Sequence, residues 1–346
     1  MRILPKSFTR TLPPKSAKAK VGVLLLLAIL AFLMAGVSLL SGSQAFTVGQ
    51  LVSCIQTGDT TSPVWRILVH VRLPRTLACV LAGAALAVAG TLIQAVLNNA
   101  MASPNVIGVN AGAGFFAIAA SVLLPFGAGA VPAAAFLGAL LTTLLVYALA
   151  SRAGLSRVSL VLAGIAVSGI LSAGIDTLTL LYPDQIVGAT GFMIGGFSGV
   201  TMASLLPASG YIGVGLLLAF LLAADLDVLQ LGEETASSLG MHVGWVRFLS
   251  ILAASLLAGA AVSFAGLLGF VGLLVPHAAR RLVGTENKFL LPASAVLGIG
   301  FLLLCDSLGR VLFAPFELPV GIIMSFLGGP FFLFLLLRQK RSRVYD

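Results

Sequence analysis

Charge is sparse in this chain: only 9% of its 346 residues are Asp, Glu, Lys or Arg, against about 25% in a soluble domain. A water-soluble globular fold is thereby excluded. Cysteine is scarcer still. Cys54, Cys79 and Cys305 are scattered, with no CxxC and no ligand spacing, so neither a disulfide framework nor a metal centre is expected. Each behaves as a small hydrophobe. No GxxxxGK[ST] sequence occurs, which excludes ATP hydrolysis on a P-loop of the chain's own. What is abundant is apolar: 59% hydrophobic residues, together with 39 glycines, which let membrane helices approach one another closely. The formal charge of +9 sits in short clusters between apolar runs, with no basic face carrying interleaved aromatics. Nucleic acid is therefore not an expected partner.

Apolar segments recur with short polar breaks, and ten of them have the roughly 17–25 residues a spanning helix needs. They lie near 21–42, 74–97, 105–124, 130–150, 158–182, 200–224, 245–264, 266–283, 289–308 and 318–337. The first is too long for the 7–15-residue core of a secretory signal and is expected to be a retained span. The seventh and eighth are separated only by "FAGLLGF", which predicts a tight turn or a broken helix. The stretch 183–199, "PDQIVGATGFMIGGFSG", is too polar and glycine-rich to span and predicts a short surface helix. With the N-terminus inside, sixteen cations fall on inner segments and four, Arg66, Arg72, Arg75 and Arg310, on outer ones, in line with the positive-inside rule. The expected fold is an all-α integral membrane protein of about ten transmembrane helices with both termini cytoplasmic. Residues 1–20 form a basic tail, 21–337 one membrane domain with a cytoplasmic loop at 225–244, and 338–346 a second basic tail.

Three function classes compete: a membrane-embedded enzyme, an ion-coupled secondary carrier, and a pore subunit driven by partners. "GFSG", Gly196–Gly199, resembles the serine motif of rhomboid-type proteases. Ser198 falls at an outer helix mouth, however, and His277 some twelve residues down another span, a depth difference of roughly 18 Å. No serine–histidine dyad is expected, and hence no catalytic residue. A carrier needs ionisable groups near mid-membrane. Asp176 qualifies and Asp306 lies near an outer helix end, but Thr177 or Ser172 could equally satisfy Asp176 inside a polar bundle. The inner loop "DLDVLQLGEETASSLGMHVGW", Asp225–Trp245, mixes an apolar set (Val228, Leu229, Leu231, Ala236, Leu239) with Glu233 and Glu234. Gly232 and Gly240 bracket a possible short helix. Helices that lie on lipid are usually rich in Lys and Arg, so an acidic one fits a protein partner better.

Five stretches, in order, resemble the FecCD family of ATP-binding-cassette permeases: "RLPRTLACVLAGAALAVAGTLIQAVLNN" (Arg72–Asn99), "ASPNVIGVNAGA" (Ala102–Ala113), "LGEETASSLG" (Leu231–Gly240), "GFVGLLVPHAARRLVG" (Gly269–Gly284) and "ELPVGIIMSFLGGPFFLFLL" (Glu317–Leu336). The family's Asn-Pro-Leu-Ala turn reads Asn99, Ala100, Met101, Ala102 here, without its proline. The resemblance implies a subunit that works as a dimer, with an identical copy or a close paralogue, in the bacterial cytoplasmic (inner) membrane. It passes a ferric siderophore, haem or cobalamin by alternating access. The implied partners are two cytoplasmic ATPase subunits, which carry ATP and magnesium, a periplasmic or lipid-anchored substrate-binding protein, and membrane lipid. No cofactor is expected on this chain. Leu231, Gly232, Glu233, Glu234, Ala236, Leu239 and Gly240 would dock the ATPase, and Asn99 and Met101 would lie at the inner gate. Arg72, Arg75 and Arg310 would receive the binding protein, projecting from a helix mouth whose first turn holds Pro74. Pro276, His277 and Arg280 form the family's signature, with His277 expected as a hydrogen-bonded histidine at a proline kink, since Arg280 and Arg281 occupy the positions where a second metal ligand would sit. The alternative is an ion-coupled secondary transporter.

Overall fold

The computed structural model describes residues 16–42, 49, 62–124, 129–154, 156–186 and 189–343, and among the described residues there is no strand. Most of the N-terminal tail and Cys54 lie outside them. The long helices are α1 (Ala17–Leu40), α2 (Pro63–Val96), α3 (Val109–Leu123), α4 (Ala130–Arg152), α5 (Arg157–Leu181) and α6 (Met202–Leu221). Two short ones follow, α7 (Ala223–Leu229) and α8 (Glu233–Ser238). The chain continues with α9 (Val243–Ala265), α10 (Val271–Val283), α11 (Asn287–Val311) and α12 (Val320–Arg343). Seven of these, α1, α2, α4, α5, α6, α9 and α11, are long and apolar enough to cross a membrane. Shorter apolar helices cover Val109–Leu123 and Val320–Leu333. Helix α10 has 13 residues, about 20 Å at 1.5 Å per residue.

Local chemistry fixes several helix starts. The Ser16 hydroxyl accepts the Ala19 N–H at 3.3 Å, and Ser156 accepts that of Ser159 at 3.0 Å, each satisfying one of the donors a helix start leaves open. Thr201 and Ser204 form a reciprocal capping box on α6,. The break expected at "FAGLLGF" is present: α9 ends at Gly266 (φ +70°), and α10 begins after Phe270, itself left-handed at φ +64°. The 183–199 stretch carries two short helical pieces, Pro183–Ile186 and Thr190–Ile194.

Helix α2 is the axis of the bundle. In its most apolar stretch 83% of residues are buried, and 72% in α9, against 11% in α1 and 17% in α5. It packs against α11, α9 and α10, and it does so at backbone distance where glycines face each other. A Cβ on Gly90 would collide with the Gly272 backbone of α10, and one on Gly83 with Gly298 of α11. Where lipid removes most of the hydrophobic drive between helices, such contact supplies the dispersion attraction that holds them together. Thr91 on α2 adds a buried hydroxyl bond of 3.1 Å to Ser294 on α11.

The sequence placed the start of the second span at about 74; the helix in fact starts at Pro63, with a π-helical turn at Leu68–Arg72. Pro74 is therefore inside a continuous helix and not at its mouth. The π turn immediately before it displaces the regular hydrogen-bond ladder where a proline would otherwise break it.

Candidate functional site

Three groups of residues stand out, one at each end of the bundle and one joining α2 to α10. At the predicted outer end, Arg72, Arg75 and Arg310 are all buried, with 4%, 8% and 3% exposure. This corrects the expectation that they project outward. Arg75 Nε lies 3.0 and 3.1 Å from the two oxygens of Asp306, and its Nη1 donates to Glu317 at 2.6 Å. Arg310 Nε lies 3.1 Å from Asp306 Oδ2, one helical turn away. Its terminal nitrogens donate to the Ser38 and Ser41 carbonyls at 3.0 and 2.6 Å and to the Ser38 hydroxyl at 2.9 Å. Arg72 donates to the Leu39 and Leu40 carbonyls, each at 2.8 Å, so the last turn of α1 has its open acceptors filled by two arginines from other helices. Charges buried this deeply persist only when paired and hydrogen-bonded. Asp306 meets that requirement for two guanidinium groups at once. The basic residues exposed on this part of α2 are Arg66 and His70.

At the predicted inner end, Gly232 (φ +111°) and Gly240 (φ +83°) bracket α8 as expected. The connected pair α7–α8 is strapped down at three points. Asp227 Oδ1 accepts the backbone N–H and the side-chain amide of Asn287 at the start of α11, at 2.9 and 2.7 Å. Asn98 reaches the Gln230 carbonyl at 3.5 Å. Glu233 accepts two bonds from Arg247 of α9, at 2.8 and 3.3 Å. Leu229 and Ala236 face inward, with 1% and 0% exposure. Leu231 and Leu239 face outward, with 65% and 66%, and Glu234 is exposed beside them. The Glu233 carboxylate is held by an arginine that is itself 1% exposed, and it fastens α8 to α9.

The turn after α2 forms without the family's proline. Asn98 adopts φ +45°, a region that asparagine tolerates better than most side chains. The Asn99 side chain accepts the Met101 N–H at 2.9 Å, and its carbonyl accepts Ala102 N–H at 3.1 Å. This side-chain-to-backbone bond is the asparagine's own way of making a turn. Asn99 and Met101 line a cavity of about 360 Å³ that also touches Arg157, Val158 and Leu162 of α5.

Between the two ends, Pro276 lies inside α10 and His277 presents its ring edge-on to Phe331 of α12, 6.0 Å between centroids. Arg280 donates to the Gln94 side-chain oxygen at 2.5 Å, and Gln94 donates to the Gly272 carbonyl at 3.1 Å. Gln94 was not singled out from the sequence. Its signal was available, since it is the one carboxamide in the run from Pro74 to Leu97.

Asp176 does not occupy a polar bundle interior. It is exposed on α5, and the neighbouring Thr177 hydroxyl donates to the Ala173 carbonyl of its own helix at 2.8 Å. Ser198 is exposed in the segment after Thr190–Ile194.

Comparison with known proteins places the chain in a family. The hemin transport system permease protein HmuU of Yersinia pestis is 36% identical over 292 residues, covering 82% of this chain and 87% of that one. The Fe(3+)-citrate import system permease protein YfmD of Bacillus subtilis is 42% identical over 272 residues, covering 78% and 80%. A solved inward-facing structure, described as a metal-chelate type ABC transporter, superposes with a TM-score of 0.83 at 27% identity, over 92% of this chain and 99% of that one. The FecCD transport family matches residues 24–338, and the chain belongs to that family.

Proposed function

We propose that the chain is the membrane-spanning permease subunit of an ATP-binding-cassette importer for a metal chelate, working in the bacterial cytoplasmic membrane as one of two copies. In a ten-span arrangement with both termini inside, α7–α8 lies at the cytoplasmic face. The observation that carries the proposal is the construction of that loop. It is fastened to α11, to the turn after α2 and to α9 by Asp227, Gln230 and Glu233, while Leu231, Glu234 and Leu239 are turned to the outside. A surface with exposed leucines at either end of α8 and an acid between them, joined to α11, α9 and the turn after α2, can receive a push from a soluble ATPase and pass it into the bundle. The exposed face of α5, which lines the Asn99–Met101 cavity, supplies a wall for a pathway shared with the second copy. Cargo of the relatives, hemin and ferric citrate, supports a metal chelate here.

A binding protein would dock at the arginine end. Since Arg72, Arg75 and Arg310 already serve internal acceptors, a carboxylate on the binding protein has to compete for them or meet Arg66 and His70 instead. An ion-coupled carrier is supported less well, because Asp306 is saturated by two arginines and Asp176 is not enclosed.

The test is reconstitution in liposomes with the ATPase and binding protein, using haemin, ferric citrate and a ferric hydroxamate in turn. ATP-dependent accumulation of one of them is expected. It should be abolished when Leu231→Ser, Glu234→Lys and Leu239→Ser are combined, with the unfolding midpoint unchanged. Accumulation under an ion gradient with no ATPase present would overturn the proposal.

A further inference from the structure

A proline inside a helix leaves an acceptor without its donor, because the ring nitrogen carries no hydrogen. In α10 the proline is Pro276, and the deprived acceptor is the carbonyl four residues earlier, that of Gly272. That carbonyl is 3.1 Å from the Gln94 amide nitrogen. Gln94 has 2% exposure, and Gly272 rests on the Gly90 backbone one turn earlier in α2, so the replacement donor comes from the helix already in contact. The other end of the amide is fixed too. Arg280, one turn past Pro276, donates to the Gln94 oxygen. Arginine can only donate and a carbonyl can only accept, so this pair of neighbours admits one orientation of the amide. Finally, the main-chain carbonyl of Gln94 accepts the N–H of Asn99 at 3.0 Å, the residue whose side chain closes the turn at Met101.

From this chain of contacts we infer that Gln94 is a positioning residue for the inner gate: it completes α10 across Pro276, is locked by Arg280, and thereby fixes the turn at Asn99–Met101 relative to α10. The gate itself rests on the transport role proposed above; the pairing of Gln94 with the proline gap does not. On this view the Pro276 and Arg280 of the family signature act on the gate through α2. His277, against Phe331, passes the position of the same helix to α12.

The two parts are tested separately. For the pairing, the purified full-length chain is compared with Gln94→Leu, Pro276→Ala and the double variant by thermal unfolding. Gln94→Leu should lower the midpoint by a few degrees. Adding Pro276→Ala should recover part of that loss, because alanine in place of the proline brings back the N–H that the Gly272 carbonyl lacks, while Arg280 stays without its acceptor. Losses that simply add would overturn the pairing. For the gate, Ala100→Cys is introduced with Cys54, Cys79 and Cys305 replaced by alanine, and labelled by an impermeant maleimide in inside-out vesicles containing the whole transporter. Gln94→Leu should change the labelling rate several-fold, and Pro276→Ala should reverse the change. A lower midpoint with an unaltered labelling rate would reduce Gln94 to a structural residue and overturn its role at the gate. If labelling in the otherwise native chain fails to respond to a non-hydrolysable ATP analogue, the transport reading is what fails; the Gln94 comparison stands on its own rates.

Discussion

The two ends of the bundle use guanidinium–carboxylate pairing in opposite ways. At the arginine end, Arg75, Asp306 and Arg310 are all buried, and each carboxylate oxygen of Asp306 faces a guanidinium nitrogen. At the loop end, Arg247 is equally buried, but its partner Glu233 is 57% exposed. A pair sealed on both sides is hard to exchange, because separating it strands charge in a medium that cannot solvate it. A pair with one partner at the surface holds its element in place and still leaves that element open to a neighbour. The arginine end is therefore built to keep α1, α2 and α11 together, and the loop end to hold α8 on α9 while leaving its outer face open.

The sharpest way to break this contrast is Asp306→Ala, which removes the one carboxylate that both Arg75 and Arg310 share. Loss of about 3–5 kcal/mol is expected for leaving buried charge uncompensated, seen as a collapse in the yield of monodisperse, folded protein in detergent; a normal unfolding midpoint would show that the arginines are solvated after all. Glu233→Gln should cost less, about 1–3 kcal/mol for a buried donor deprived of its charged partner. It should also reduce coupling of ATP hydrolysis to uptake, measured as cargo moved per ATP. Combining Glu233→Leu with Arg247→Met should restore stability without restoring coupling, since it refills the volume but does not tie α8 to α9. Smallest in stability is Glu317→Gln: its carboxylate is 34% exposed, so about 0–1 kcal/mol is expected. Its functional effect should be the opposite of a loss. With Arg75 released from Glu317, affinity for a binding protein should rise at low salt, and the gain should shrink as salt screens the exposed charge.

Most of the helix positions could be read directly from the sequence, because apolar runs of membrane length leave little choice. The places where that reading went astray share one cause. "HVRLPR" has the polarity of a loop, yet it lies inside α2, because the partners that neutralise Arg75 are Asp306 and Glu317, more than 200 residues away. No local pattern reports such a pairing. The same holds for Glu233, an exposed acid on an amphipathic helix whose buried partner Arg247 could not be read from the sequence. At Asn99 the family's proline is missing, and the asparagine's own side chain closes the turn by accepting the Met101 N–H. Gln94 was overlooked because a single amide inside an alanine-rich run resembles tolerated noise. Its meaning appears only when Pro276 on another helix is brought alongside.

The π turn at Leu68–Arg72 has a consequence for how α2 is read from its two ends. Its amides bond five residues back instead of four, so the helix carries one residue more than a regular α-helix would fit into the same length,. One residue corresponds to about 100° of rotation. Counted along the sequence, side chains on the two sides of the turn are offset by one position from a regular helical repeat, with Arg66 and His70 exposed and Arg72 and Arg75 buried. Deleting a single residue within Leu68–Val71 would let the segment close as a regular α-helix of the same length, so the extra residue can be lost without turning the side chains that the mouth of the bundle displays.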